Sequence, residues 1–312
     1  MHKPVMVNEV LEALVTSENG TFVDLTFGSG GHTRAILERL SRKGRVFAFD
    51  QDPEAADRAR DLADDRCTFI LSNYRFARQF LEFHDIHQVD GMLLDLGVSS
   101  PQIDSPQRGF STRMNGPLDM RMDPSCPRSA ADIIQSYSEE ALAALLKQYG
   151  NVGNARVLAK KIVQVRATQS LCTTQALRAV LQPFAPKLAL AKYAAKVFQA
   201  LRIEVNDELN ALESILMQSI ELVKPSGRLV TLAYHSLEDR PIKHFLRAGN
   251  LDDRLQKDAY GNVSKPFVSL YRKAIRPTES EVLANNRSRS ARLRAGERIH
   301  KTKVTLPRLQ RS

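Results

Sequence analysis

The 312-residue chain has no tryptophan, and aromatic residues make up only 6% of it. Such a protein cannot offer a long stacking platform to single-stranded nucleic acid. Its three cysteines, Cys67, Cys126 and Cys172, are scattered, odd in number and free of any Cys-x-x-Cys spacing. That excludes a disulfide framework and argues for free thiols in a reducing compartment. His84, His87 and His244 lack ligand spacing, so no metal is expected. No apolar run approaches the roughly 18 residues needed to cross a bilayer. The start, Met1-His2-Lys3-Pro4-Val5, has no apolar core of the signal-peptide kind. A cytoplasmic protein without a membrane partner is the expectation.

What is present is ordinary in bulk, with 43% hydrophobic and 26% charged residues. The length suits one large core or two domains. Net charge is +10, and residues 285–312 carry nine Arg or Lys against one Glu, leaving the rest of the chain near neutral. This reads as a basic tail, for which a solvated segment and a phosphate-binding arm both stay open.

The stretch from Phe22 to Asp50 organises the chain. A short apolar run reaches Asp24, a turn follows at Gly28-Ser29-Gly30-Gly31, and Ala35, Ile36 and Leu40 mark one side of a helix. A second apolar run, Val46 to Phe49, stops at Asp50. Strand, glycine turn, helix and strand make the unit of a nucleotide-binding sheet, with an acid at the second strand end placed for ribose hydroxyls. Thr33 stands where a dinucleotide fingerprint needs a third small residue. Asp24, just before the loop, would repel a pyrophosphate but suits an amino group and a sulfonium. S-adenosylmethionine is therefore favoured over a dinucleotide, and a glycine turn without ligand stays open.

Further along, residues 7–14 predict a helix over one edge of the sheet. A helix at 54–65, a strand at 67–71 and a helix at 75–83 follow, with Tyr74 placed against an adenine. A fourth strand at 89–96 ends in Asp95 and a turn through Gln102, facing the crevice of Gly30 and Asp50. Residues 105–124 are too rich in turn formers to be regular. Helices are expected at 138–149, 155–167, 173–181 and 191–204, the first with capping-box spacing. The periodicity then gives a helix at 207–223, a turn at 224–227, a strand at 228–234, a helix at 241–246 and a strand at 267–274. The domain reading is a discontinuous unit, 1–106 with 205–312, holding an inserted helical unit at 107–204, with the basic tail 285–312 in the second segment.

Six motifs in order resemble the bacterial 16S ribosomal RNA cytosine-N4 methyltransferase family over nearly the whole chain. They are His2-x-Pro4-Val5, Asp24-x-Thr26-Phe27-Gly28-x-Gly30-Gly31-His32, Asp95-Leu96-Gly97-Val98-Ser99-Ser100-Pro101-Gln102, Arg108-Gly109-Phe110-Ser111, Gly116-Pro117-Leu118-Asp119-Met120-Arg121-Met122 and His235-Ser236-Leu237-Glu238-Asp239-Arg240. The resemblance implies an α/β fold, a Rossmann-like class I methyltransferase sheet with an inserted all-helical domain for substrate recognition. It implies S-adenosylmethionine as methyl donor, bound by Gly30, Gly31, His32, Asp50, Tyr74, Asp95 and Gln102. The implied acceptor is a decoding-region cytidine of 16S ribosomal RNA in the small subunit; a homodimer stays open.

A cytosine amine is a poor nucleophile, and methyl transfer moves positive charge onto it. The site therefore needs hydrogen-bond acceptors and an in-line approach rather than donors. Asp95 and the carbonyls near Val98 to Ser100 are the candidates, with His235 second; Asp95 as a cofactor contact alone stays open. Arg108, Arg113 and Arg121 are candidate RNA contacts. A DNA amino methyltransferase would normally carry a Pro-Pro-aromatic turn after strand four, which this chain lacks. A nicotinamide oxidoreductase is disfavoured by Thr33 at the third glycine position. A non-catalytic RNA-binding assembly protein would have no need for Gly30, Asp50 and Asp95 on one edge.

Overall fold

A computed structural model describes residues 4–186, 189–257, 261 and 265–299. In chain order the first elements are α1 (Val7–Leu14), β1 (Thr21–Asp24), α2 (Gly31–Arg39), β2 (Arg45–Asp50), α3 (Pro53–Arg60), β3 (Cys67–Leu71), α4 (Ala77–Phe83) and β4 (Val89–Asp95). Then come α5 (Ser100–Asp104), α6 (Ala130–Ser136), α7 (Glu139–Gly150), α8 (Ala155–Arg166), α9 (Thr174–Leu181) and α10 (Leu190–Asn206). The last are α11 (Glu208–Leu222), β5 (Val223–Ala233), α12 (Ser236–Ala248), β6 (Phe267–Ser269), α13 (Glu279–Ala284) and β7 (Arg292–Arg298).

The strands form one sheet in the order β3-β2-β1-β4-β5-β7-β6. Neighbours from β3 to β5 are parallel, and β7 runs antiparallel to both β5 and β6. This is the Rossmann-like class I methyltransferase sheet expected from the sequence. Its chain order reverses at β1 and β4, and in such sheets the crevice outside the carboxyl strand ends at that point receives ligands. Both faces are covered, so the strands read as apolar runs. One face buries Val23, Phe47, Met92 and Leu229 with Leu216 of α11 and Phe245 of α12. The other buries Phe22, Val46, Leu93 and Val230 with Leu14 of α1 and Ile36 of α2. Helix α1 thus lies across the middle of the sheet, not along its edge, because Val10, Leu11 and Leu14 give it an apolar face to bury.

Several expected boundaries move. Helix α12 begins at Ser236, five residues before Pro241, because His235 and Glu238 form a capping box there. The expected turn at 224–227 is an irregularity within β5, where Ser226 takes a positive φ of 66°. β6 is shorter than the alternation from Phe267 suggested.

The larger correction concerns the basic segment. Residues 292–298 are no tail: they form β7, between β5 and β6. Arg292-Leu293-Arg294-Ala295 alternates with period two, burying Leu293 and Ala295 while the arginines meet the buried Asp239 of α12 at 2.9 and 2.7 Å. Burial alone would raise the Asp239 pKa, yet hydrogen bonds from Arg294 and Arg292 hold it below the usual carboxylate range. Residues 286–290 of the expected tail form a short 3-10 helix, while 300–312 and His2 lie outside the described residues.

The chain divides into two compact units, one comprising residues up to Gly97 and from Ala211 on, the other Val98–Asn210. The second unit is helical, with a core of residues such as Leu142, Leu146, Leu158, Ile162, Val197 and Phe198. Its irregular entry is fixed by close approach: a Cβ on Gly116 would stand 1.8 Å from the Pro106 carbonyl oxygen. Asn206 accepts from the Met122 N–H at 2.7 Å and donates to the Met120 carbonyl at 2.8 Å. Helices α5 and α6 escaped sequence reading because each is short, although each starts with a capping box.

Because Leu293 is fully buried in β7, Leu293→Ala should cost about 2–5 kcal/mol of stability. Chemical denaturation of the full chain checks this, and an unchanged midpoint would mean that 292–298 behaves as a tail.

Candidate active site

The turn after β1 is built on two constraints. Gly30 sits at φ +74°, where a Cβ would be only 2.7 Å from the Phe27 ring. Gly28, at φ 55°, is gripped from both sides: its N–H donates to Asp50 Oδ2 at 2.7 Å, and its carbonyl accepts from Arg58 Nε at 2.9 Å. Asp50 Oδ1 accepts a second backbone N–H, from Asp52, at 2.9 Å. The β2 tip is thereby locked to the glycine turn.

Asp24, at the end of β1, is completely buried and accepts from the Thr33 hydroxyl at 2.6 Å and the Thr26 N–H at 3.1 Å. The Thr26 hydroxyl in turn accepts from the Asp95 N–H at 2.7 Å. Thr33, the residue at odds with a dinucleotide fingerprint, is thus a hydrogen-bond donor to the buried acid. The Asp95 side chain is held at both oxygens: the Tyr234 hydroxyl donates to Oδ1 at 2.7 Å, and His32 Nδ1 faces Oδ2 at 3.5 Å. His32 Nε2 lies 3.0 Å from the Val5 carbonyl oxygen, which can only accept. Nε2 therefore carries a proton, and Nδ1 is the ring's contact with Asp95.

Three carboxyl groups consequently stand at the carboxyl ends of β1, β2 and β4. Among the described residues none forms an ion pair with Lys or Arg; their partners are backbone N–H groups, hydroxyls and His32. Burial raises the pKa of Asp24 and of Asp95, with the neighbouring His32 opposing, and raises Asp50 to about 6. Burial and the adjacent Asp95 push the Tyr234 phenol well above its ordinary value. Such a cluster is destabilised by its own charge and favours a ligand that brings positive charge or donates hydrogen bonds.

A model of the MraW methylase family matches residues 1–299. The chain belongs to that family. Ribosomal RNA small subunit methyltransferase H of Amoebophilus asiaticus is 52% identical over 297 residues, covering 95% of this chain and 96% of that protein. Its counterpart from Cytophaga hutchinsonii is 48% identical, covering 95% and 99%. Among solved structures, a putative rRNA methylase from Clostridium thermocellum aligns with a TM-score of 0.42 at 15% identity, covering 94% of this chain and 95% of that one. The methyl donor of MraW-family enzymes is S-adenosylmethionine. The acid cluster, the glycine turn and the lack of a direct Lys or Arg ion pair on these acids among the described residues fit a sulfonium-bearing amino acid nucleoside.

The geometry of this MraW-family site brings together Gly30, Gly31, His32, Asp50 and Asp95 of the sequence-derived set. Tyr74 follows β3 and is half-buried against the sheet core. Gln102 belongs to the second unit, where its Oε1 accepts from the Ser99 N–H at 3.0 Å and caps α5. His235 caps α12: its Nδ1 accepts from the Glu238 N–H at 3.4 Å, and Nε2 lies 2.9 Å from Glu238 Oε1. Arg108 donates to the Arg121 and Met122 carbonyls, and Arg121 grips Asp119 and donates to the Pro124 and Cys126 carbonyls. Both arginines thus brace the loop they belong to, whereas Arg113 is exposed. Sequence reading missed Tyr234, Thr26 and Thr33; adjacency to the strand tips was the only available signal.

Two measurements check this description. Thr33→Val removes a donor from a fully buried carboxyl and should cost about 1–3 kcal/mol, seen as a lowered denaturation midpoint. Since desolvation moves Asp50 up to about 6, its carboxyl resonance in the ligand-free protein should titrate near 6. A midpoint near the ordinary 3.8 would contradict the burial.

Proposed function

We propose that this chain transfers a methyl group from S-adenosylmethionine to the N4 amine of a cytidine in the decoding region of 16S ribosomal RNA. The observation carrying the reading is the trio of acids, Asp24, Asp50 and Asp95, without a Lys or Arg ion pair among the described residues, around a glycine turn in an MraW-family chain. The names of the 52% and 48% identical relatives support ribosomal RNA of the small subunit as acceptor. The reaction belongs to the cytoplasm, where that subunit is made.

When bound, the donor supplies an electrophilic methyl on a sulfonium. Asp50 would accept the ribose hydroxyls. Those bonds favour the carboxylate, so the Asp50 pKa should fall on binding. Gly30 and Gly31 leave the backbone open to close approach, and His32 holds the loop by joining Val5 to Asp95. Tyr74 would hold the adenine.

Asp95 is the acceptor for the amine. Its raised proton affinity, caused by burial, suits a group that receives a hydrogen bond from nitrogen as positive charge develops there. Tyr234 and His32 fix the direction of its two oxygens, so little reorientation is needed during transfer. His235 is bound up in the α12 cap and acts on the site through the backbone between Tyr234 and Glu238. Flipping an unpaired cytidine to this group is cheaper than extracting a paired one. The helical unit, with Arg113 among its exposed cations, recognises the RNA.

Asp95→Asn separates the roles. Turnover should fall by about 100-fold or more, in line with loss of one charge-stabilising group, well beyond the loss in donor affinity from removing one acid of the trio. A large affinity loss with turnover preserved would remove Asp95 from catalysis. The acceptor is tested by tritiated-methyl transfer to assembled small subunits, free 16S RNA and DNA side by side, followed by nucleoside analysis. Label in N4-methylcytidine of the RNA is expected; label in DNA alone would favour a DNA amino methyltransferase.

A further inference from the structure

The net charge of the whole chain hides a second basic region. Between Glu140 and Glu204 the sequence holds no Asp or Glu at all, yet ten Lys or Arg. At the chain-wide frequency of 35 in 312, that stretch would contain about seven acids. The basic character is therefore not confined to the last residues: acids elsewhere in the chain cancel these cations in the overall balance.

Part of this charge is exposed on helix α8 of the helical unit. Helix α8 contains no acid and buries Leu158, Ala159 and Ile162 in the core, leaving Arg156, Val157, Lys160 and Lys161 exposed. At the start of α8, the Tyr193 hydroxyl donates to Asn154 Oδ1 at 2.7 Å, and Lys196 Nζ donates to the Asn151 carbonyl at 3.4 Å. These bonds bring the first turns of α10, with exposed Lys192, beside the end of α7, where Lys147 is exposed. Arg156, Lys160 and Lys161 form no ion pair among the described residues. Elsewhere in the helical unit Arg121 and Arg202 are bound to Asp119 and Glu208, so the α8 cations stand apart from these paired ones. Arg156 and Lys160 stand four residues apart and repel each other, with no acid on the helix to offset this.

We propose that the exposed face of α8, centred on Arg156, Lys160 and Lys161, is a docking surface for the phosphate backbone of the acceptor RNA. The proposal rests on the reading of ribosomal RNA as acceptor. A polyanion is the occupant whose charge complements an acid-free helix face. The face offers cations and one valine but no aromatic ring, so it grips backbone rather than stacking on bases. It fixes register and carries no sequence preference of its own.

The test is RNA binding by the full chain across a salt series, using single-stranded 16S fragments. Each phosphate contact on single-stranded RNA contributes about 0.7 to the slope of log affinity against log salt. The triple variant Arg156→Ala, Lys160→Ala, Lys161→Ala should therefore lower the slope by about 2 and weaken binding equally across fragments of different sequence. Alanine favours a helix, and circular dichroism with donor binding reports on folding; Lys160→Gln with Lys161→Gln is the milder variant, with about 1.4 expected. A control removes three exposed cations from the sheet unit, Arg39→Ala, Arg42→Ala and Arg45→Ala. Equal losses in both triples would reduce the effect to net charge and overturn the proposal. So would unchanged affinity for RNA, including the case in which only binding to assembled subunits falls, which would point to an acidic protein. Methyl transfer by the unaltered chain reports separately on the acceptor.

Discussion

The structure turns on the cost of placing three carboxyl groups together at the tips of neighbouring parallel strands. Asp24, Asp50 and Asp95 are drawn out of water by the sheet, and no Lys or Arg pairs with them among the described residues. They are held mainly by neutral donors, the N–H groups of Gly28, Thr26 and Asp52 and the hydroxyls of Thr33 and Tyr234, with the His32 ring beside Asp95. Neutral donors fix geometry without cancelling charge. The result is a site whose acids keep raised proton affinities until a cationic, hydroxyl-bearing ligand arrives.

That economy explains details which look incidental in the sequence. Thr33 replaces the small residue of a dinucleotide fingerprint because its hydroxyl serves Asp24. Tyr234 supplies a donor to Asp95 while its own N–H is taken by Glu238 at 2.8 Å. Glu238 also caps α12, so the segment from Tyr234 to Asp239 joins the site to the helix that anchors β7. Arg292 and Arg294 of β7 are bound to the Asp239 carboxylate of α12. Uncompensated cations are instead displayed on α8 in the helical unit. Acids that suit a sulfonium and bases that suit phosphate thus belong to different compact units.

Much of this was legible in the sequence, and the reasons are physical. The strand, glycine turn and acid of residues 22–50 are local, with a periodicity that switches from two to 3.6 and back. The order of motifs and the helical insert were visible for the same reason. Less legible were features set by distant partners. The pairing of β7 between β5 and β6 makes a strand of an arginine-rich segment that composition alone assigns to a tail. Arg108 and Arg121 looked like free phosphate ligands, yet they hydrogen-bond carbonyls of their own loop. The start of α12 was misplaced because Pro241 is a stronger local signal than the box between His235 and Glu238. The acid-free stretch was hidden by averaging charge over a chain whose acids lie elsewhere.

The central claim is that a surplus of buried carboxyl groups awaits positive charge and hydroxyl donors from the methyl donor. Calorimetric titration of the donor in buffers of different ionisation enthalpy tests it most directly, because it counts protons exchanged on binding. With Asp50 raised to about 6 before binding and lowered by the ligand, binding at pH 6 should release protons, and the release should vanish by pH 8. Heats independent of the buffer at pH 6, or proton uptake, would contradict the account.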